Sequence, residues 1–105
     1  MSPRKANRAD AGAKLVLRLY IAGDAPNGAA ARDNLRAVLA RYPDASVRLE
    51  IVDVMKDPER GLRDGVVLTP MLIKLTPAPT RRVVGNLRDE TVVLAALDLR
   101  MSDDE

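Results

Sequence analysis

Two alternating apolar segments, LVLRLYI at residues 15–21 and VRLEIVDV at 47–54, stand on either side of a stretch with helical spacing. This pairing constrains the fold more than any other feature. In the first segment Leu15, Leu17, Leu19 and Ile21 share one face and Val16, Arg18 and Tyr20 the other, the pattern of a strand covered on both faces inside a sheet. The second alternates Val47, Leu49 and Ile51 against Arg48, Glu50 and Val52; charges at alternate positions fit a sheet edge, where they discourage unwanted pairing. Between them AGDAPNG ends a strand and supplies a proline for the first turn of a helix. The helix is expected from Pro26 to Tyr42: Leu35, Val38, Leu39 and Tyr42 recur at i, i+3, i+4 and i+7, with Arg32, Asp33, Arg36 and Arg41 mostly elsewhere. Pro43 and Asp44 stop it. Strand, helix and strand make a βαβ unit, with parallel strands joined by a right-handed crossover.

Downstream, KDPERGLRDG offers Asp57 as an N-cap and Pro58 at the first helical position, while Gly61 and Gly65 keep the helix short. VVLTPMLIKL would read as one long buried strand without Pro70 in its middle. A threonine before proline suits extended backbone, and a proline at the first residue of a strand removes no central ladder bond, so Pro70 reads as the start of the strand MLIKL. TPAPT, stiffened by Pro77 and Pro79, joins it to RRVVG. Asn86 and Asp89 resemble a capping box before TVVLAALDLRM, although the apolar run Val92–Leu97 could also serve as a buried strand. The order βαβαββα implies a thioredoxin-like α/β fold with a four-stranded mixed sheet, helices on both faces and the VRLEI strand at an edge. Residues 1–13 read as a flexible basic tail, 14–101 as a single domain and 102–105 as an acidic tail.

Composition excludes more chemistry than it suggests. The obvious task of such a fold is thiol–disulfide exchange, which needs a thiolate at the start of the first helix; that position reads GDAPNG, and the sequence has no cysteine and no histidine. Redox catalysis is out, and fold analogy alone misleads. Asp53, Asp57 and Glu59 could be drawn as a carboxylate cluster, but one ends a strand and one reads as a cap; no metal or cofactor is called for. Gly61 and Gly65 lack the lysine of a phosphate loop. Arg81 and Arg82 could meet an anion, though a solvated strand start accounts for them better. With two tyrosines as the only aromatics and a net charge of +2, base-stacking nucleic-acid recognition is disfavoured. No stretch has membrane-spanning length and the N-terminus is no signal peptide, so a cytoplasmic protein is expected.

The segments LRLYIAGDAPN, IVDVMKDP, LTPML, PAPTRRVVGNL and LAALDL occur in the order and spacing of the KaiB family, which the chain resembles from Leu15 to Leu99. The resemblance implies a non-enzymatic regulator that binds the KaiC ATPase and autokinase and alters its phosphorylation and ATPase cycle in a circadian clock or daily timer, with KaiA or a sensor kinase as further partners. A KaiB-like signalling or stress-response module outside a clock is the alternative. The family is metamorphic: a thioredoxin-like form binds KaiC as a monomer, while a ground state (βαββααβ) with a refolded C-terminal half forms dimers or tetramers. Pro70, Pro77, Pro79, Ala96 and Asp98 are the implied fold-state determinants. Members often carry glycine where this chain has Ala96, and alanine favours helix over glycine by roughly 0.8–1.0 kcal/mol, which tilts the expectation toward the thioredoxin-like form. The family's three-proline run is interrupted by Ala78, and Ala30 and Glu50 replace basic residues. The implied KaiC-binding surface combines the polar face of the first helix with the charged edge strand: Asn27, Arg32, Arg36, Arg48 and Glu50.

Overall fold

The computed structural model describes residues 14–43 and 45–99; the segments read as basic and acidic tails, 1–13 and 102–105, lie outside the described residues, as do Asp44, Arg100 and Met101. The elements are β1 (Leu15–Ile21), α1 (Pro26–Ala40), β2 (Val47–Asp53), α2 (Pro58–Arg63), β3 (Met71–Thr76), β4 (Arg81–Val84) and α3 (Glu90–Leu97). The sheet order is β2-β1-β3-β4, with β1 parallel to β2 and antiparallel to β3, and β4 antiparallel to β3. The expected topology, mixed sheet and edge position of β2 are all found. Helix α1 stops at Ala40 rather than Tyr42.

The two faces of β1 organise two cores. Leu15, Leu17, Leu19 and Ile21, with Leu72 of β3, pack under Ala31, Leu35 and Val38 of α1 and Val93 and Leu97 of α3. Both long helices therefore share one face of the sheet. The buried stripe of α1 also includes Gly28. A Cβ there would lie 3.1 Å from the Ile21 Cβ, so glycine lets the start of α1 approach β1 closely. On the opposite face, covered by α2 and its flanking loops, Tyr20 and Val52 pack with Met71 and Ile73, and Val54, Val66 and Leu75 close the edges. The prolines open strands or shape loops as read; the Thr69–Pro70, Thr76–Pro77 and Ala78–Pro79 peptides are cis.

The cap expectations divide. Asp89 caps α3, its Oδ1 accepting from the Thr91 and Val92 N–H groups at 3.1 and 3.4 Å. Asn86 does not complete a capping box; its Oδ1 closes the preceding turn by accepting from the Arg88 N–H. The Asp57 side chain caps nothing in α2, a correction to the sequence reading. Pro58 has no N–H to offer, and the Arg60 N–H goes to the Asp57 backbone carbonyl at 3.2 Å. Helix α3 ends in a Schellman arrangement: Asp98 is left-handed (φ 60°, ψ 37°), its N–H reaching the Ala95 carbonyl and that of Leu99 the Leu94 carbonyl. Residues 90–97 are helical, so the strand alternative for this run is not adopted in this form.

Candidate interaction surface

The five residues expected at the partner surface divide between two sides of the molecule. Arg48 and Glu50 stand opposite Val16 and Arg18 in register, so their side chains lie on the α2 face of the sheet, while α1 lies on the other face. On α1 itself, at about 100° per residue, Asn27 falls on one flank of the buried stripe and Arg32 and Arg36 on the other. Asn27's flank faces α3, because Asn34 donates to the Asn86 carbonyl and Arg41 pairs with Glu90. Arg32 and Arg36 therefore turn toward the β2 edge. Arg32, Arg36 and Arg48 border that edge from its two faces; Asn27 is exposed at the start of α1.

Glu50 is held in a polar network that joins β1, β2 and α2. Its Oε1 accepts from Arg18 Nε at 3.0 Å, and its two oxygens take a bidentate pair from Arg60 of α2 at 2.6 and 2.8 Å. Arg18 also donates to Asp64 Oδ2 at 2.8 Å. The buried Tyr20 hydroxyl lies 2.5 Å from the same Asp64 oxygen and 3.0 Å from the Arg60 carbonyl. From β4, Arg82 donates to the Asp64 carbonyl at 2.5 Å. The hydrogen bonds from Arg60, more than the opposing burial, hold the Glu50 carboxyl at about 2, well below its ordinary 4.5. Burial alone would raise Asp64, but the Tyr20 hydroxyl and Arg18 outweigh it and its carboxyl is also lowered.

A carboxylate whose folded pKa is depressed stabilises the fold fully above its unfolded pKa and loses that contribution as pH falls through the folded value. The share due to Glu50 is therefore complete above 4.5 and fades toward about 2. Thermal unfolding followed across that window should show a smaller fall in Tm for Glu50→Gln than for the unsubstituted chain. Equal falls would mean that the Glu50 charge does not contribute.

Of this network only Glu50 is a site residue in the sequence reading, and Arg82, read there as part of a solvated strand start, bonds the Asp64 carbonyl instead. A signal was present: Arg18 and Glu50 occupy equivalent positions on adjacent parallel strands, and Arg60 and Asp64 are spaced i, i+4. The carboxylate cluster drawn from Asp53, Asp57 and Glu59 dissolves. Asp53 Oδ1 accepts from the Gly23 and Met55 N–H groups, both at 2.9 Å, tying the β1–α1 turn to the end of β2, and those bonds lower its pKa. Among the described residues no group of three or more acidic side chains could hold a metal ion, and no helix is long and apolar enough to cross a membrane.

A sheet in this order, with α1 and α3 on one face, α2 on the other and a proline before β3, defines a thioredoxin-like domain, here in a chain without cysteine. Solved structures agree. The N-terminal domain of SasA from Synechococcus elongatus superposes with a TM-score of 0.68 at 19% identity, covering 99% of this chain and 97% of that one. Mitochondrial thioredoxin 3 from Saccharomyces cerevisiae gives 0.67 at 15% identity, covering 83% and 79%. Sequence comparison is more specific: the KaiB domain profile matches residues 18–99. The circadian clock oscillator protein KaiB of Prochlorococcus marinus is 39% identical over 93 residues, 86% of this chain and 87% of that protein. Its namesake from a Synechococcus species is 38% identical over 107 residues, covering 99% and 90%. The chain belongs to the KaiB family.

Proposed function

We propose that this chain is a non-enzymatic clock regulator that binds a KaiC-like ATPase and changes its phosphorylation and ATPase cycle. The observation that carries the reading is a KaiB-family domain in the thioredoxin-like form whose first helix opens on Asp24-Ala25-Pro26-Asn27, with no thiol to do the fold's usual chemistry. What remains at the surface is recognition: an edge strand bordered by Arg32, Arg36 and Arg48, a cationic rim suited to an acidic partner face. Asn27 contributes a polar contact at the start of α1. Glu50 acts on this surface indirectly, because its oxygens are engaged by Arg18 and Arg60.

Measuring KaiC ATPase and dephosphorylation rates with and without the protein tests the reading directly; identical rates and no complex would remove it. Within it, Arg32→Glu with Arg36→Glu should weaken the complex by roughly tenfold or more, read by titration calorimetry at moderate salt. An unchanged Kd would place the contact elsewhere. A signalling role outside a clock would show instead as failure to capture a KaiC-like ATPase.

A further inference from the structure

The segment 58–66 is built inside out. In α2 the large apolar residue, Leu62, is 77% exposed, whereas Arg60 and Asp64 are the side chains that reach the sheet. The helix has six residues, a glycine in its middle and no side-chain cap, so it has little stability of its own. Its buried residue is Gly61, and half-buried Val66 is its apolar foot on the Tyr20 core. By contrast α1 and α3 are anchored by fully buried Ala31, Leu35 and Val93. Attachment of α2 is mainly polar. The Arg60 guanidinium grips Glu50, and the Arg60 carbonyl lies 3.0 Å from the Tyr20 hydroxyl, sharing its one proton with Asp64. The Asp64 carboxylate receives Tyr20 and Arg18, and its carbonyl receives Arg82. Water can replace each of these contacts once the segment lifts; the segment's own side chains give up little buried apolar area, Val66 being the one packed on the Tyr20 core, so the apolar cost of opening is that of the strip it uncovers.

We infer that residues 58–66 form a lid fastened by the polar latch of Arg60 and Asp64, which opens while the sheet stays folded and uncovers Tyr20 with the adjoining strip of Val52, Met71 and Ile73. Arg60 and Asp64 lie one turn apart on the same helical face, so a single lifting motion releases both. This opening belongs to the folded state and does not depend on which partner the protein binds.

Hydrogen exchange on the unsubstituted chain reads it. The reporters are the Asp64, Gly65 and Val66 N–H groups, which bond the Arg60, Leu62 and Gly61 carbonyls. They should exchange on the order of a hundredfold faster than β1 amides and with a much weaker dependence on denaturant, the mark of local opening. Arg60→Met, which keeps the stem and removes the charge, should speed the three reporters a further tenfold or so and β1 by no more than the same factor, with the reporters' weak denaturant dependence kept. Reporter amides that match β1 in rate and denaturant slope would overturn the inference, as would unprotected exchange before any substitution. So would rates insensitive to Arg60→Met, or an Arg60→Met chain that no longer folds, since the network would then hold the sheet rather than the lid.

Discussion

Leu17→Ala should lower the free energy of unfolding by about 2–5 kcal/mol, measured by urea denaturation with the slope unchanged. Leu17 is 0% exposed at the centre of β1, opposite Leu49 on one side and Lys74 on the other, beneath both long helices. With no phenylalanine or tryptophan, the larger core is a set of branched aliphatic side chains with no large ring to shift into a vacated space. The cavity should therefore collapse poorly, and the cost should sit in the upper half of that range. Against a total of about 5–15 kcal/mol for a domain, that is a large part of the stability. Leu62→Ala supplies the contrast: the same atoms leave a side chain 77% exposed, and the change should stay within about 0.5 kcal/mol. Equal losses at the two positions would mean that the two-core description of the sheet is wrong.

How much of this was legible follows from the range of each signal. The strands and α1 announce themselves through periods of two and 3.6, which need only neighbours in sequence. The two-sided burial of β1 was visible for the same reason. Gly28 and Ala31 escaped notice as core because small side chains carry no hydrophobic signal, although close packing of α1 on Ile21 depends on their size. Asp57 has the residue type of a cap, but the Arg60 N–H it would cap already goes to the Asp57 backbone carbonyl. The polar network was the least legible part. Its members are brought together by sheet register and by the return of α2, across 32 residues for Arg18 and Glu50 and 46 for Arg18 and Asp64. Alternation placed Arg48 and Glu50 correctly on one face of an edge strand, but it could not distinguish a charge facing solvent from one facing Arg18 and Arg60.

That distinction makes the two β2 charges behave differently under reversal. Arg48 is exposed, so Arg48→Glu should change stability by no more than about 0.5–1 kcal/mol while weakening any contact with an acidic partner. Glu50→Lys places a third cation against Arg18 and Arg60 and removes the acceptor they share. Discounted for partial exposure of the site, the loss should be about 1.5–3 kcal/mol in urea unfolding. Adding Arg60→Glu restores one opposite-charge pair but leaves Arg18 facing the introduced lysine, so the double variant should recover roughly half of that loss. Full recovery would show that Arg18 is satisfied by Asp64 alone; no recovery would mean that the Arg60 pair has no energetic weight. Any partner-binding defect of Glu50→Lys must then be separated from its folding defect, whereas a defect in Arg48→Glu reports on the surface itself. The informative probe of this edge is thus Arg48, and the charge two residues along belongs to the fold.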